Sequence, residues 1–336
     1  MGNGTFFAGS WREGWRGVPP DPGPVAFAQG RSLGPEAEHE GVDGEPGPAR
    51  RALTERRREA LMQLELTERD FRNFSELIYE KSGINLHQGK RELLKARLAK
   101  VLRQSSFGSV REYYDYLMKD ASGDAFIPLL DVISTNLTAF LREPRHFDYL
   151  TDAVVPELFE PEGKGPLGEI RVWCAGCSSG EEAYSIAMTL LEALPTQRHK
   201  DIHILATDIS TRMLEAADRG VYDASRVEKI PYPLRRQYFQ KGIHRWAGYY
   251  RVKTQVRERV RFRRLNFIEP FSFAKPFDVV FCRNVMIYFD KATQEDLVNR
   301  FFDVMKSPGY LFIGHSESLT GVRHRFRYVR PSVYRR

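Results

Sequence analysis

Along this chain the apolar positions follow two rhythms. From residue 67 to about residue 147 they recur every three or four residues, which predicts helices with one buried face. Phe71, Phe74, Leu77 and Ile78 make the first such stripe. Thr67 and Asp70 ahead of it form an N-cap with an acidic first turn, and Gly83 closes it. Leu93, Leu94, Leu98, Val101 and Leu102 make a second stripe, edged by Lys90, Arg97 and Lys100. SVREYYDYLMKD and AFIPLLDVISTNLTAF supply two more helical patterns.

Beyond Gly165 short apolar runs alternate with helical patterns. EIRVWCAG, DIHILATDIS, FDVVFCRNVMIYF and GYLFIGHSESL read as strands, the first two followed by the helical stretches EEAYSIAMTLLEAL and TRMLEAADRG. Such alternation predicts an α/β fold with a mostly parallel, doubly wound sheet and a ligand at the strands' C-terminal ends. The rhythm breaks between Tyr222 and Asn266. There YYRVKTQVRERVRFRRLNF alternates at period two and predicts a β-hairpin region inserted at about 222–262. The layout is thus a helical N-terminal domain over 65–147 and an α/β domain over 148–336.

Composition adds three points. Of the chain's 26 glycines and 19 prolines, 18 fall in the first 48 residues without a collagen repeat, so residues 1–64 read as a disordered leader. Three cysteines, Cys174, Cys177 and Cys282, are too few for a disulfide framework and fit a reducing cytoplasm. No apolar run approaches the ~18 residues of a membrane span. The net charge of +7 points to an anionic partner. No zinc-finger or base-stacking signature favours nucleic acid.

The candidate chemistry lies at the predicted strand ends. Cys174 and Cys177 in VWCAGCSSGEEA resemble a redox pair, but Ser178, Ser179 and Gly180 separate them from the helix start that would lower a thiol's pKa. The loop reads better as a small-residue turn exposing backbone N–H groups. It ends in Glu181 and Glu182, where a P-loop has Lys. Two carboxylates there either receive a cationic cofactor group or complement the helix dipole. Asp208, ending the next strand, suits a ribose or caps the following helix. Asn136, Thr138 and Arg142 interrupt a helical pattern between the domains; they reach a cofactor or serve as a cap and a surface ion pair. Arg283, Asn284 and Tyr288 follow a strand end, and Cys282 reads as a small buried residue. His315 and Glu317 suggest acid–base work, yet too few His, Cys and carboxylate residues converge to predict a metal.

Taken together, TNLTAFLRE, VWCAGCSSGEEAYSIAM, ATDIS, FCRNVMIYFD with TQEDL after it, and GYLFIGHSESL resemble the chemotaxis receptor methyltransferases, the CheR-type family, over residues 67–335. The resemblance implies a helical domain followed by a Rossmann-like S-adenosylmethionine domain with an inserted antiparallel β-subdomain. It implies that Asn136, Thr138, Arg142, Glu182, Asp208, Asn266, Phe267, Arg283 and Asn284 bind the cofactor, with Arg142 and Tyr288 nearest the transferred methyl. Lys90, Arg97 and Lys100 would face an acidic receptor. Ala183 departs from the family's frequent Pro.

The implied reaction forms glutamate methyl esters on the cytoplasmic helical region of methyl-accepting receptors, leaving S-adenosylhomocysteine. It needs no general base, because a free glutamate is ionised at neutral pH. A receptor C-terminal peptide on the β-subdomain, a cytoplasmic monomer, no nucleic acid and no membrane insertion complete the expected picture. The rivals are a methyltransferase for small molecules or nucleic acid and a non-catalytic sensor of S-adenosylmethionine. CRNVMIY lacks the Asn/Asp-Pro-Pro-aromatic loop of base-methylating enzymes.

Overall fold

The computed structural model describes residues 65–120, 124–134, 136–159 and 168–336; the leader expected over 1–64 lies outside them. Helix α1 (Glu68–Ser82) opens on a capping box, with the Thr67 side chain accepting from the Asp70 N–H and the Asp70 side chain accepting from the Thr67 N–H. It stops at Gly83, whose φ of 72° is left-handed. Helices α2 (Arg91–Gln104), α3 (Val110–Lys119) and α4 (Ile127–Ile133) follow. Phe71, Phe74, Ile78, Leu94, Leu98, Leu102, Tyr113 and Leu130 bury a common core among them. Leu93 departs from the expected stripe: it is half-buried and lines a cleft between the domains.

The segment expected to continue as helix through residue 147 does not. Residues 136–144 are irregular, and helix resumes only at Arg145–Tyr149. Leu141 and Glu143 both have left-handed φ, 52° and 58°. Tertiary contacts override the periodicity: the Leu141 N–H donates to Ser185 Oγ, and Ser178 Oγ donates to the Asn136 carbonyl. Thr138 and Arg142 therefore share no helical face. Phe140 and Phe147 are buried in the α/β core, so this segment packs with the second domain although its sequence reads as part of the first.

The α/β domain is a seven-stranded sheet. Its strands are β1 (Ile170–Ala175), β2 (Ile202–Asp208), β6 (Val260–Arg264), β7 (Phe277–Cys282), β8 (Met305–Ile313), β9 (Arg327–Arg330) and β10 (Val333–Arg335), in the order β6-β2-β1-β7-β8-β10-β9. The first five run parallel; β10 and β9 return antiparallel. All six residues of β1 are buried because alternate side chains feed two layers. Val172 and Cys174 join the core beneath helix α5 (Glu181–Ala193). Trp173 and Ala175 join the core beneath helix α7 (Lys291–Asp303). Helix α6 (Thr211–Arg219), capped by Ser210, follows β2.

The insertion is a three-stranded antiparallel sheet of β3 (Val221–Asp223), β5 (Tyr249–Val252) and β4 (Phe239–Lys241), in the order β3-β5-β4. The hairpin expected over the arginine-rich stretch is corrected. Its first part is β5, a short helix Thr254–Arg257 intervenes, and its last part is β6, which pairs in parallel with β2 as an edge of the main sheet. Half-buried edge strands and two-stranded hairpins share the same period-two pattern, so alternation alone does not separate them.

Candidate active site

Strand order reverses between β2 and β7 on either side of β1, and a cleft of about 360 Å³ opens at the strands' C-terminal ends against the helical domain. Its wall starts with the β1–α5 loop. Gly176 has φ 89°, and a Cβ there would collide with the Val285 side chain. Gly180 has φ 95°, and a Cβ would lie 2.8 Å from that of Ala217. Only glycine suits either place. Between them, the Ser178 N–H donates to Asp208 Oδ2 (2.8 Å), while Asp208 Oδ1 accepts the Ser210 N–H (2.9 Å). Asp208 thus braces the loop as well as facing the cleft, whereas Ser210 caps α6.

The structure separates the two glutamates. Glu181, fully buried, accepts from Ser179 Oγ (2.7 Å) and pairs with Arg226 of the insertion (2.8 Å). Glu182 lines the cleft, pairs through Oε2 with Arg283 Nη1 (2.9 Å) and accepts from Cys174 Sγ (3.3 Å). Burial raises the carboxyl pKa of both Glu182 and Asp208; Arg283 opposes this at Glu182, and backbone N–H groups of Ser210 and Ser178 oppose it at Asp208. Acceptor oxygens of two carboxyl groups, one beside Arg283 and one bonded to two backbone N–H groups, suit a cationic or hydroxyl-bearing ligand in this cleft.

Arg283 ties three segments together. Its side chain is 1% exposed and reaches Glu182, Glu143 Oε2 (2.9 Å) and the carbonyl of Arg142. Burial pushes the Glu143 pKa up, but Arg283 prevails and holds it below the usual value. Asn284, at a left-handed φ of 59°, is fixed by its N–H donating to Glu317 Oε2 (2.8 Å). The same carboxylate accepts the Gly314 N–H (2.6 Å) and, through Oε1, the Ile287 N–H (3.2 Å). Glu317 therefore shapes the β7 loop and has no acid–base partner in these contacts.

Every residue expected at the cofactor lines this cleft: Asn136, Thr138, Arg142, Glu182, Asp208, Asn266, Phe267, Arg283 and Asn284, together with Tyr288. Some of their side chains are committed elsewhere as well. Asn266 Nδ2 donates to the Lys81 carbonyl (2.7 Å) and to Glu269, joining the two domains. The Tyr288 carbonyl accepts the Asn85 N–H (2.9 Å) across the same boundary. Arg142 Nη1 donates to the Leu137 carbonyl (3.0 Å). Lys90 sits in the turn ahead of α2 and lines the cleft; Arg97 and Lys100 lie further along the helix, half-buried and outside it. Glu143 and Ser185 went unnamed in the sequence reading, Ser178 was read only as part of a small-residue turn, and Glu317 was read as an acid–base candidate, not as a backbone anchor. Each has a partner at least 30 residues away in sequence, and the one available signal was their place as polar residues within the quoted motifs.

Cys174 lies on β1 and only Cys177 in the loop. Both thiols are free and buried, and burial raises their pKa well above normal, the reverse of a redox site. Glu143, His146 and His315 bring possible metal ligands within 4.8 Å of one another. Glu143 Oε2, the oxygen both imidazoles approach, is already held by the Arg283 guanidinium, whose charge opposes a second cation.

The family model described as the CheR methyltransferase all-alpha domain matches residues 69–134, and that described as the CheR methyltransferase SAM binding domain matches residues 136–335. The chain belongs to the CheR methyltransferase family. It is 38% identical to the chemotaxis protein methyltransferase of Borreliella burgdorferi, covering 82% of this chain and 96% of that one. Chemotaxis protein methyltransferase 2 of Pseudomonas aeruginosa is 39% identical over 80% and 93%. The Escherichia coli chemotaxis protein methyltransferase is 36% identical over 81% and 92%. This CheR-family protein is an S-adenosylmethionine-dependent methyltransferase, and no described helix is long and apolar enough to cross a membrane.

Proposed function

We propose that the protein methylates glutamate side chains on the cytoplasmic helical region of methyl-accepting receptors, using the interdomain cleft as its cofactor site. The observation that carries this reading is one cleft lined by the carboxyl groups of half-buried Glu182 and buried Asp208 together with Arg142, Tyr288 and the basic Lys90. Glycine turns that admit no Cβ and carboxyl oxygens lining the same cleft fit the ammonium, sulfonium and ribose hydroxyls of S-adenosylmethionine. In this reading Glu182 holds the methionine amino group, Asp208 the ribose, and Asn266 and Phe267 the adenine side. Asn136, Thr138, Arg283 and Asn284 complete the walls. When bound, the cofactor supplies a methyl group on a sulfonium.

The protein's own task is placement. A substrate glutamate with a pKa of ~4.3 is already a carboxylate at neutral pH, so no side chain must remove a proton. Arg142 and Tyr288 orient that carboxylate in line with the methyl, and the cleft excludes water from it. Lys90, Arg97 and Lys100 draw an acidic receptor helix to the helical domain by screened attraction. The insertion's small sheet ends in β3 and β4, where an extended receptor C-terminal peptide would add as a further strand. A monomer acting in the cytoplasm belongs to the same reading.

The test is chemical. Receptor fractions incubated with methyl-labelled cofactor and this protein should release labelled methanol in alkali, as esters do. Alkali-stable label, or transfer to nucleic acid or small molecules instead, would overturn the proposal.

A further inference from the structure

Leu137 and Ile287 are 79% and 51% exposed. Single exposed apolar residues are ordinary on a protein surface. These two differ in position: among the nine large hydrophobic side chains exposed in the described residues, they alone line the cleft. Each is also joined to one of the residues expected nearest the transferred methyl. Leu137 lends its carbonyl to the Arg142 guanidinium, and Ile287 immediately precedes Tyr288.

Neither lies on a loose tip. Asn136, just before Leu137, is fixed through its carbonyl by Ser178 Oγ (3.2 Å) and through its side chain by Ser134 Oγ (3.1 Å). The Ile287 N–H is held by Glu317, a carboxylate that also holds the Asn284 and Gly314 N–H groups. The backbone therefore presents two apolar side chains to solvent from anchored positions in the cleft, each beside a residue expected nearest the transferred methyl. Lys90, half-buried in the same wall, supplies positive charge.

We infer that Leu137 and Ile287 are the apolar half of the substrate-docking surface. They seat on apolar side chains that flank the target glutamate on a receptor helix, while Lys90 and the α2 cations meet its acidic residues. The occupant is an amphipathic helix carrying acidic and apolar side chains side by side. This inference rests on the receptor-methylation reading and adds its recognition chemistry. Covering the two side chains removes water from beside the arriving carboxylate, which strips the nucleophile of hydration only when the correct protein is docked. A free acidic side chain without an apolar neighbour is then a poor substrate. Specificity arises at the reacting end of the cleft as well as along the basic helix.

The experiment measures steady-state methylation of a purified cytoplasmic receptor fragment by the full chain and by Leu137→Ser, Ile287→Ser, Leu137→Met and Ile287→Val. Cofactor binding to each is measured by calorimetry. Burying a Leu or Ile side chain fully is worth enough to change an equilibrium about tenfold or more. Each serine variant should therefore raise the receptor KM by about tenfold, and Met and Val should restore it. Cofactor affinity should stay at the wild-type value. The rise should persist at high salt, where a charge effect fades. Unchanged receptor KM in both serine variants overturns the inference, as does an equal loss of cofactor affinity, which would make them cofactor contacts. A wild-type protein that binds cofactor but methylates no receptor fragment defeats the underlying reading instead, and it does so before any substitution is made.

Discussion

His146 offers a pH test of how this site is assembled. Its ring is 2% exposed, packs edge-on against Phe312 and His315, and makes no hydrogen bond through either nitrogen. Burial first, then the nearby Arg283, pushes its pKa from the ordinary 6.5 down to about 3. A proton therefore binds the unfolded chain but not the folded one over that window. Stability is complete above pH 6.5 and is lost as pH falls towards 3, by up to ~1.4 kcal/mol per unit. Between pH 7 and pH 5 the loss integrates to about 2 kcal/mol. Glu182, Asp208 and Glu317 have raised pKa values and act in the opposite sense, their folded forms gaining protons as pH falls. The difference between wild type and His146→Phe isolates the histidine. Urea unfolding followed by circular dichroism at pH 5, 6 and 7 should show wild type losing about 2 kcal/mol relative to the variant. Parallel pH profiles would refute the buried neutral imidazole.

Four further outcomes follow from the site. Glu182→Gln should weaken cofactor binding by about 10- to 100-fold, the worth of one charge-assisted hydrogen bond, whereas Glu181→Gln should largely spare it; calorimetry distinguishes them. Glu317→Gln sets an NH₂ against a backbone N–H in the β7 loop and should lower kcat about tenfold with little change in cofactor affinity, read by single-turnover methylation. Serine at both Cys174 and Cys177 should leave methylation largely intact, since serine can also donate to Glu182; a dead double variant in a folded protein would reopen a redox role. Arg97→Glu should raise the receptor KM more than the cofactor KM, with the difference shrinking as salt increases.

The strands and first helices were legible because burial imposes a period. Ile170 to Ala175 form a fully buried strand, and Thr67 with Asp70 form the cap that their spacing implies. The linker was illegible for the opposite reason. LTAFLREPRHF has helical spacing, but its backbone obeys Ser178, Ser185 and Arg283, which lie far along the chain. The alternation in RVRFRR was real, yet its partner was β2 and not the neighbouring strand. At the loop, two adjacent glutamates look equivalent in sequence. One turns to Arg226 of the insertion and the other to Arg283, a choice made by the helix's rotation against its surroundings.

The arginine hub also bears on where this protein can be cut. A fragment starting at residue 148 would keep every strand of the main sheet but leave Glu143 behind. Arg283, with its side chain 1% exposed, would retain Glu182 and lose its other carboxylate and the Arg142 carbonyl. Removing one partner of a buried charge costs up to about 3–5 kcal/mol, a large share of the roughly 5–15 kcal/mol that holds a domain folded. Recombining modules of such proteins therefore calls for a junction ahead of residue 136, so that the strap travels with the sheet it fastens. The seam between the helical and α/β parts of this chain lies about a dozen residues before the point where its helical spacing ends.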